Sequence, residues 1–128
     1  MIGYRARVGA AASAFVLLLA SCGGGGGGSA YKVPKGPATA TLKVEAGNIY
    51  FKPKNPSVSA GIVNLELDGA GGNHTLVFDG KEAGFQLEVS GSGDSQSQKI
   101  DLKPGKYTFY CDIPGHRAQG MQGTLTVK

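Results

Sequence analysis

Histidine, cysteine and methionine are scarce in this chain of 128 residues, which contains two of each. The two histidines are His74 and His116, and one of the two methionines is the initiator. So few imidazoles argue against an enzyme with several histidine-rich metal sites, and we expect no catalytic activity. Because Cys22 lies in a leader-like segment, Cys111 is the one thiol of the remaining chain, which therefore cannot form an intrachain disulfide.

The chain also lacks an apolar run long enough to cross a bilayer as a helix, which needs about 20 residues. Its apolar stretch at residues 10–20 follows a start with two arginines and no acidic residue, which is the pattern of a signal peptide. The stretch ends in Leu19-Ala20-Ser21-Cys22, which resembles the lipobox of bacterial lipoproteins. The resemblance implies a signal peptide over residues 1–21 and a lipid on Cys22. An ordinary cleaved signal, with Cys22 as an incidental thiol, is the alternative.

Neither sign of charge is in large excess. The chain has 13 basic and 9 acidic side chains, and removing Arg5 and Arg7 leaves 11 against 9, a net charge of +2. A weakly basic chain with scattered lysines gives no reason to expect nucleic acid as a partner. Residues 22–37 contain six consecutive glycines and end in two prolines, so we expect a flexible tether there, with a reach of roughly 20 Å over 15 residues.

From residue 38 onward the pattern predicts an all-β domain that extends to residue 128. Apolar residues alternate in short runs between clusters of Gly, Pro, Asn and Asp, as in residues 39–45 and 61–68. No stretch has the periodicity of an amphipathic helix. Residues 79–95 are rich in Gly and Ser, and only a short strand at 85–89 is expected there. Seven or eight short strands in about 90 residues predict a β-sandwich or a small barrel.

Strand periodicity places three of the scarce residues on apolar faces. Because side chains alternate along a strand, residues two apart share a face. His74 then shares a face with Leu76 and Phe78, Cys111 with Tyr107 and Phe109, and Met121 with Leu125 and Val127. His116 lies in the loop between Cys111 and Met121, which can fold back toward the same point. We therefore expect the four side chains to converge at one end of the sandwich.

One thiolate, two imidazoles and one thioether form the ligand set of a blue-copper site. Zinc favours a closed shell of thiolates and imidazoles, and Met121 would be a poor zinc ligand, with Asp112 as the one carboxylate nearby. Without a metal, Met121 would be a core filler, Cys111 a small buried apolar residue and His74 a hydrogen-bonded core imidazole. We therefore predict one copper ion bound by His74, Cys111, His116 and Met121.

Two motifs resemble small blue-copper proteins, the cupredoxins. The first is Asn73-His74-Thr75-Leu-Val-Phe78-Asp79. The second consists of the segment from Gly105 to Cys111, then His116, then Gly120-Met121-Gln-Gly123-Thr-Leu-Thr-Val127. The resemblance implies a Greek-key sandwich of about eight strands, with His74, Cys111 and His116 as equatorial ligands and Met121 as the weak axial ligand. The Cys-x4-His-x4-Met spacing is similar to that of auracyanin and rusticyanin. Thr75 departs from the asparagine that many cupredoxins carry after the first histidine.

The resemblance implies a monomeric carrier of single electrons between redox proteins outside the cytoplasm. The lipid on Cys22 would hold it to a bacterial membrane, on the periplasmic or outer face. The outward edge of His116 would pass the electron to partners that dock transiently on the small and apolar residues around it (Ile113, Pro114, Gly115, Ala118, Gly120 and residues 69–72). An extracytoplasmic protein that delivers or stores copper is the alternative. Such proteins favour exposed ligands, whereas this chain offers a single internal methionine.

Overall fold

The structure, a computed structural model, describes residues 31–128. The expected signal peptide, Cys22 and the glycine run lie outside the described residues. Within this described range there are nine strands, where about eight were expected: β1 (Ala40–Gly47), β2 (Tyr50–Lys52), β3 (Ser57–Val58), β4 (Gly61–Gly69), β5 (Asn73–Phe78), β6 (Leu87–Ser90), β7 (Ser95–Leu102), β8 (Gly105–Tyr110) and β9 (Gln122–Val127). A single 3₁₀ turn at Arg117–Gln119 is the only helical element among the described residues, and none of their helices could cross a membrane.

The strands form two mixed sheets packed as a sandwich. The first sheet has the order β2-β1-β4-β7, and the second has the order β3-β9-β8-β5-β6. Strand β1 pairs in parallel with β4, and β3 pairs in parallel with β9, whereas the other pairs are antiparallel. The predicted all-β sandwich is therefore confirmed.

Alternating apolar residues of both sheets fill the space between them, as the sequence pattern predicted. Val63, Leu65 and Leu67 of β4 are at most 1% exposed, and the second sheet contributes Phe109 and Leu125. Among residues 31–128, every buried apolar side chain of the core lies between residues 44 and 127. Residues 31–128 thus contain a complete core, and we expect them to fold without the 30 residues that precede them.

The segment before β1 packs against the side of the sandwich. The ring of Tyr31 meets that of Phe85 edge-on at 5.1 Å between centroids, and its hydroxyl donates to the backbone oxygen of Lys99 at 2.9 Å. Lys99 in turn donates through Nζ to the backbone oxygen of Gly36. Part of the segment expected to be a tether is therefore fixed to the edge of β7.

Candidate metal centre

His74 is the second residue of β5, and its imidazole is only 2% exposed. Its Nε2 lies 2.8 Å from the backbone oxygen of Gly71. Because a carbonyl oxygen only accepts, Nε2 must carry the proton, and Nδ1 is left with a free lone pair. Gly72 makes this approach possible: its φ is +76°, and a Cβ there would lie 3.2 Å from Nε2.

The Nδ1 atom of His74 is the one buried side-chain nitrogen or oxygen in the described part of the chain without a hydrogen-bond partner. A buried polar atom without a partner costs free energy, typically 1–3 kcal/mol, unless something else satisfies it. Because Nε2 is engaged by the oxygen of Gly71, Nδ1 is the nitrogen that His74 can offer to the cluster with Cys111 and His116. A metal ion bound at Nδ1 would remove this cost.

Cys111 follows the last residue of β8, and its thiol is fully buried and free. Its Sγ accepts a hydrogen bond from the backbone N–H of Thr75 at 3.4 Å, and it lies 3.4 Å from Nδ1 of His116. The sulfur is thus held between the two strand ends, with one face toward the imidazoles.

His116 is brought back to the sulfur by the turns of the loop between β8 and β9. Its N–H donates to the oxygen of Ile113 at 3.0 Å, and its oxygen accepts from the N–H of Met121 at 3.1 Å. The 3₁₀ turn follows at once and ends at Gly120, which has a φ of +98°. His116 is half-buried, whereas His74 is buried, so His116 alone of the two presents an edge to solvent.

Met121 lies directly before β9 and is fully buried. Its backbone oxygen accepts from the N–H of Cys111 at 3.1 Å, which places the two residues side by side at the base of the loop. The predicted strand parity is correct here, since Met121, Gly123, Leu125 and Val127 are all buried.

The donor atoms of His74, Cys111 and His116 all lie within 4.8 Å of one another. The two imidazole rings are 5.2 Å apart between centroids and tilted by 47°. A buried thiol, a lone pair with no other partner and a second imidazole in so small a space fit a soft metal ion, and copper suits this donor set. The structure thus brings together three residues that the sequence singled out, with Met121 adjoining them through the backbone.

Thr75 and Asp112 bind each other beside this cluster, and the hydroxyl of Thr75 thus bonds to the Cys111 loop as its place after His74 allowed. The Thr75 hydroxyl donates to Oδ1 of Asp112 at 2.6 Å and accepts from the Asp112 N–H at 2.9 Å. Thr75 is only 5% exposed, and its hydroxyl oxygen is 3.6 Å from the sulfur of Cys111. The pair joins the strand of the first histidine to the loop of the other candidate ligands.

A contact that the sequence did not predict fixes the loop to the sheet through Arg117. Its guanidinium lies 4.0 Å from the ring centroid of Tyr110 and 2.7 Å from Oδ2 of Asp79, and Nε donates to Gln122. The hydrogen bond to Asp79 raises the pKa of Arg117 above its already high usual value. The loop therefore lies over Tyr110. The positive charge of Arg117, next to His116 in the sequence, is paired with Asp79.

Comparison with known proteins agrees with this geometry. A family model described as copper binding proteins of the plastocyanin/azurin family matches residues 38–128. Plastocyanin of Scenedesmus fuscus is 31% identical over 99 residues, which cover 70% of this chain and 98% of that protein. Plastocyanin A'/A'' of Nicotiana tabacum is 37% identical over 92 residues, which cover 63% of this chain and 90% of that protein.

Solved structures give the same fold. The structure of auracyanin B superposes with a TM-score of 0.66 at 25% identity, covering 80% of this chain and 96% of that one. Auracyanin of Roseiflexus castenholzii superposes with a TM-score of 0.57 at 22% identity, covering 72% of this chain and 99% of that one. The second similarity concerns the fold alone.

Proposed function

Since this chain belongs to the plastocyanin/azurin family of copper-binding proteins, we propose that it carries single electrons between redox proteins with one type 1 copper ion. His74, Cys111 and His116 would be the equatorial ligands, and Met121 the weak axial one. The observation that carries the proposal is the convergence of three donor atoms within 4.8 Å, one of them a lone pair with no other partner. Copper supplies the one-electron change between its +1 and +2 states.

The surrounding protein suits this role because it fixes the donor groups before a metal arrives. His74 is oriented by Gly71, Cys111 by the N–H of Thr75, and His116 by the turns of its loop. Ligands held in this way move little when the charge of the site changes, so the rearrangement that accompanies each electron transfer stays small. An exchangeable copper store, by contrast, would need ligands that open easily.

Exit and entry of the electron are proposed at His116, whose edge is the accessible part of the site. The exposed residues Pro114, Gly115 and Ala118 surround it with small side chains. Such a surface allows close approach of a partner, and redox encounters typically bury little area and are weak. Because Arg117 is paired with Asp79, the contact area would be mostly uncharged.

The chain offers no histidine for a second metal site, since both of its histidines lie in this cluster. This supports a carrier rather than an enzyme. We further propose a location outside the cytoplasm, with the protein held at a bacterial membrane by a lipid on Cys22. Mass spectrometry of the N-terminal peptide of the membrane-extracted protein tests the anchor: diacylglyceryl-modified Cys22 supports it, and an unmodified cysteine there overturns it.

The carrier role is tested by mixing the reduced, copper-loaded protein with an oxidised cupredoxin of known spectrum and, separately, with a metal-free copper acceptor. A carrier should exchange electrons within milliseconds to seconds and keep its copper over the same period. Copper transfer to the acceptor that outpaces electron exchange would contradict the carrier and identify a delivery protein.

A further inference from the structure

Four exposed lysines surround the end of the sandwich farthest from the candidate metal centre. We call this group the basic pole: Lys81, Lys103, Lys106 and Lys128. Lys103 and Lys106 flank the turn from β7 to β8, and Lys128 follows the last residue of β9. Strand β8 runs from this turn to Cys111, and β9 runs back from Met121, so the two strands separate the basic pole from the metal centre by their full length.

Tyr107 contacts Lys103 and Lys81, and it directly follows Lys106 in the sequence. Its hydroxyl donates to the backbone oxygen of Lys103 at 2.8 Å and accepts from the Lys103 N–H at 3.1 Å. The Nζ of Lys81 lies 4.4 Å from the centroid of the Tyr107 ring and donates to the backbone oxygen of Lys106 at 2.9 Å. The lysines are therefore part of one packed surface.

Charge is distributed unequally between the two ends. Two acids, Glu82 and Asp101, lie near Lys103, and Asp101 pairs with it at 3.2 Å, although the Lys103 side chain remains 77% exposed. The loops at the metal end (residues 69–73, 91–94 and 111–121) contain two acids and one basic residue, Arg117, which is paired with Asp79. The excess of positive charge is thus at the pole away from the metal centre.

The described chain begins beside this pole. Aromatic rings connect the two: Tyr31 packs on Phe85 at 5.1 Å, Phe85 on Phe78 at 5.5 Å, and Phe78 on Tyr107 at 6.0 Å between centroids. Cys22 precedes Tyr31 by nine residues, and a glycine-rich coil of that length has a root-mean-square reach of roughly 17 Å. A lipid on Cys22 would therefore keep the basic pole within reach of the bilayer surface.

We propose that the basic pole rests on an anionic lipid surface and so turns the metal end toward partners in the aqueous phase. The role of the tether in this arrangement rests on the proposed lipid anchor, whereas the attraction of the pole does not. Lysines close to an anionic bilayer each strengthen binding about fivefold, and the effect decays within a Debye length. With one end cationic and the other end without an unpaired basic side chain in its loops, a single orientation is favoured.

The test is co-sedimentation of metal-free residues 31–128 with phosphatidylglycerol vesicles, compared with phosphatidylcholine vesicles, at low ionic strength and in about 0.5 M salt. We expect binding to phosphatidylglycerol alone, and loss of that binding in salt. Neither copper nor the lipid on Cys22 takes part, so the result is independent of the carrier function. Failure to bind phosphatidylglycerol at low salt would overturn the proposal.

A matched pair of triple variants tests the location. Lys81→Gln/Lys103→Gln/Lys106→Gln should lower the partition coefficient on the order of 100-fold. Lys43→Gln/Lys52→Gln/Lys54→Gln removes the same charge from exposed positions away from the pole and should change it several-fold at most. Thermal unfolding of both variants establishes that they are folded. Equal losses in the two variants would contradict the proposal and indicate an effect of net charge alone.

Discussion

The hydroxyl of Thr75 and the backbone and side chain of Asp112 hydrogen-bond to each other in both directions, at 2.6 Å and 2.9 Å. The two residues are 37 positions apart in sequence and connect the strand of His74 to the loop that begins with Cys111. Because a hydroxyl has one proton, the short bond to the carboxylate leaves none for the sulfur of Cys111 at 3.6 Å.

Replacing Thr75 by Val keeps its shape but removes both bonds, leaving the N–H of Asp112 without this partner. We expect the free energy of unfolding of the metal-free protein to fall by about 1–3 kcal/mol, measured by urea denaturation. Thr75→Ser, which keeps the hydroxyl, should recover most of the loss. Thr108→Val on the half-buried outer face of β8 is the control and should change stability by about 0.5 kcal/mol or less. Equal effects at Thr75 and Thr108 would refute a structural role for the pair.

Removing the Asp112 carboxylate should release the Thr75 proton toward the sulfur. A hydrogen bond to a thiolate ligand withdraws electron density, so Asp112→Ala should raise the reduction potential of the copper-loaded protein. Loss of the negative charge acts in the same direction, and a double-mutant cycle separates the two effects. In a Thr75→Val background the increase should be clearly smaller. An equal increase in both backgrounds would show that charge alone is responsible.

Gly72 is expected to be essential for the orientation of His74. Alanine there would be strained at a φ of +76° and would also press on Nε2 from 3.2 Å. Gly93 is the matched control, because its φ is +83° and a Cβ there meets nothing within 4 Å. Both variants carry the backbone strain, of about 1 kcal/mol. Only Gly72→Ala should also weaken copper binding, measured by competition with a chelator; identical affinities would argue against the contact.

Tyr31 should make stability sensitive to high pH. Burial, followed by the nearby carboxylates of Glu82 and Asp101, raises its pKa to about 12. The unfolded chain ionises this phenol near pH 10, so the stabilising effect of the neutral hydroxyl is complete below about pH 10 and is lost as the pH rises toward 12. Tyr31→Phe keeps the ring on Phe85 and cannot ionise. The wild-type melting temperature should exceed that of Tyr31→Phe at pH 8, and the difference should shrink between pH 10 and 11.5. A constant difference would contradict a raised pKa for this partly buried hydroxyl.

The sequence was sufficient for the core faces and for the inward direction of His74 and Cys111, because strand parity directs side chains without reference to distant residues. His116 joins them because its loop folds back, which the sequence allowed but parity did not require. The sequence did not identify which residues of distant segments contact each other. Parity places Thr75 outward, yet it is buried because the Cys111–Asp112 segment covers it. The pairing of Arg117 with Asp79 joins residues 38 apart, for which a single sequence contains no signal. The strands β2 and β3, with three and two residues, are too short to show alternation.

The most direct measurement is copper titration of residues 31–128, followed by visible absorption, with Cys111→Ser as its matched variant. Cys111 is the one cysteine of this segment, so an intense thiolate-to-copper charge-transfer band can come from no other residue. We expect a band that saturates at one copper per chain, disappears on reduction and is absent from Cys111→Ser. A folded wild-type protein that stays colourless with copper(II), or a band that survives in Cys111→Ser, would contradict this expectation.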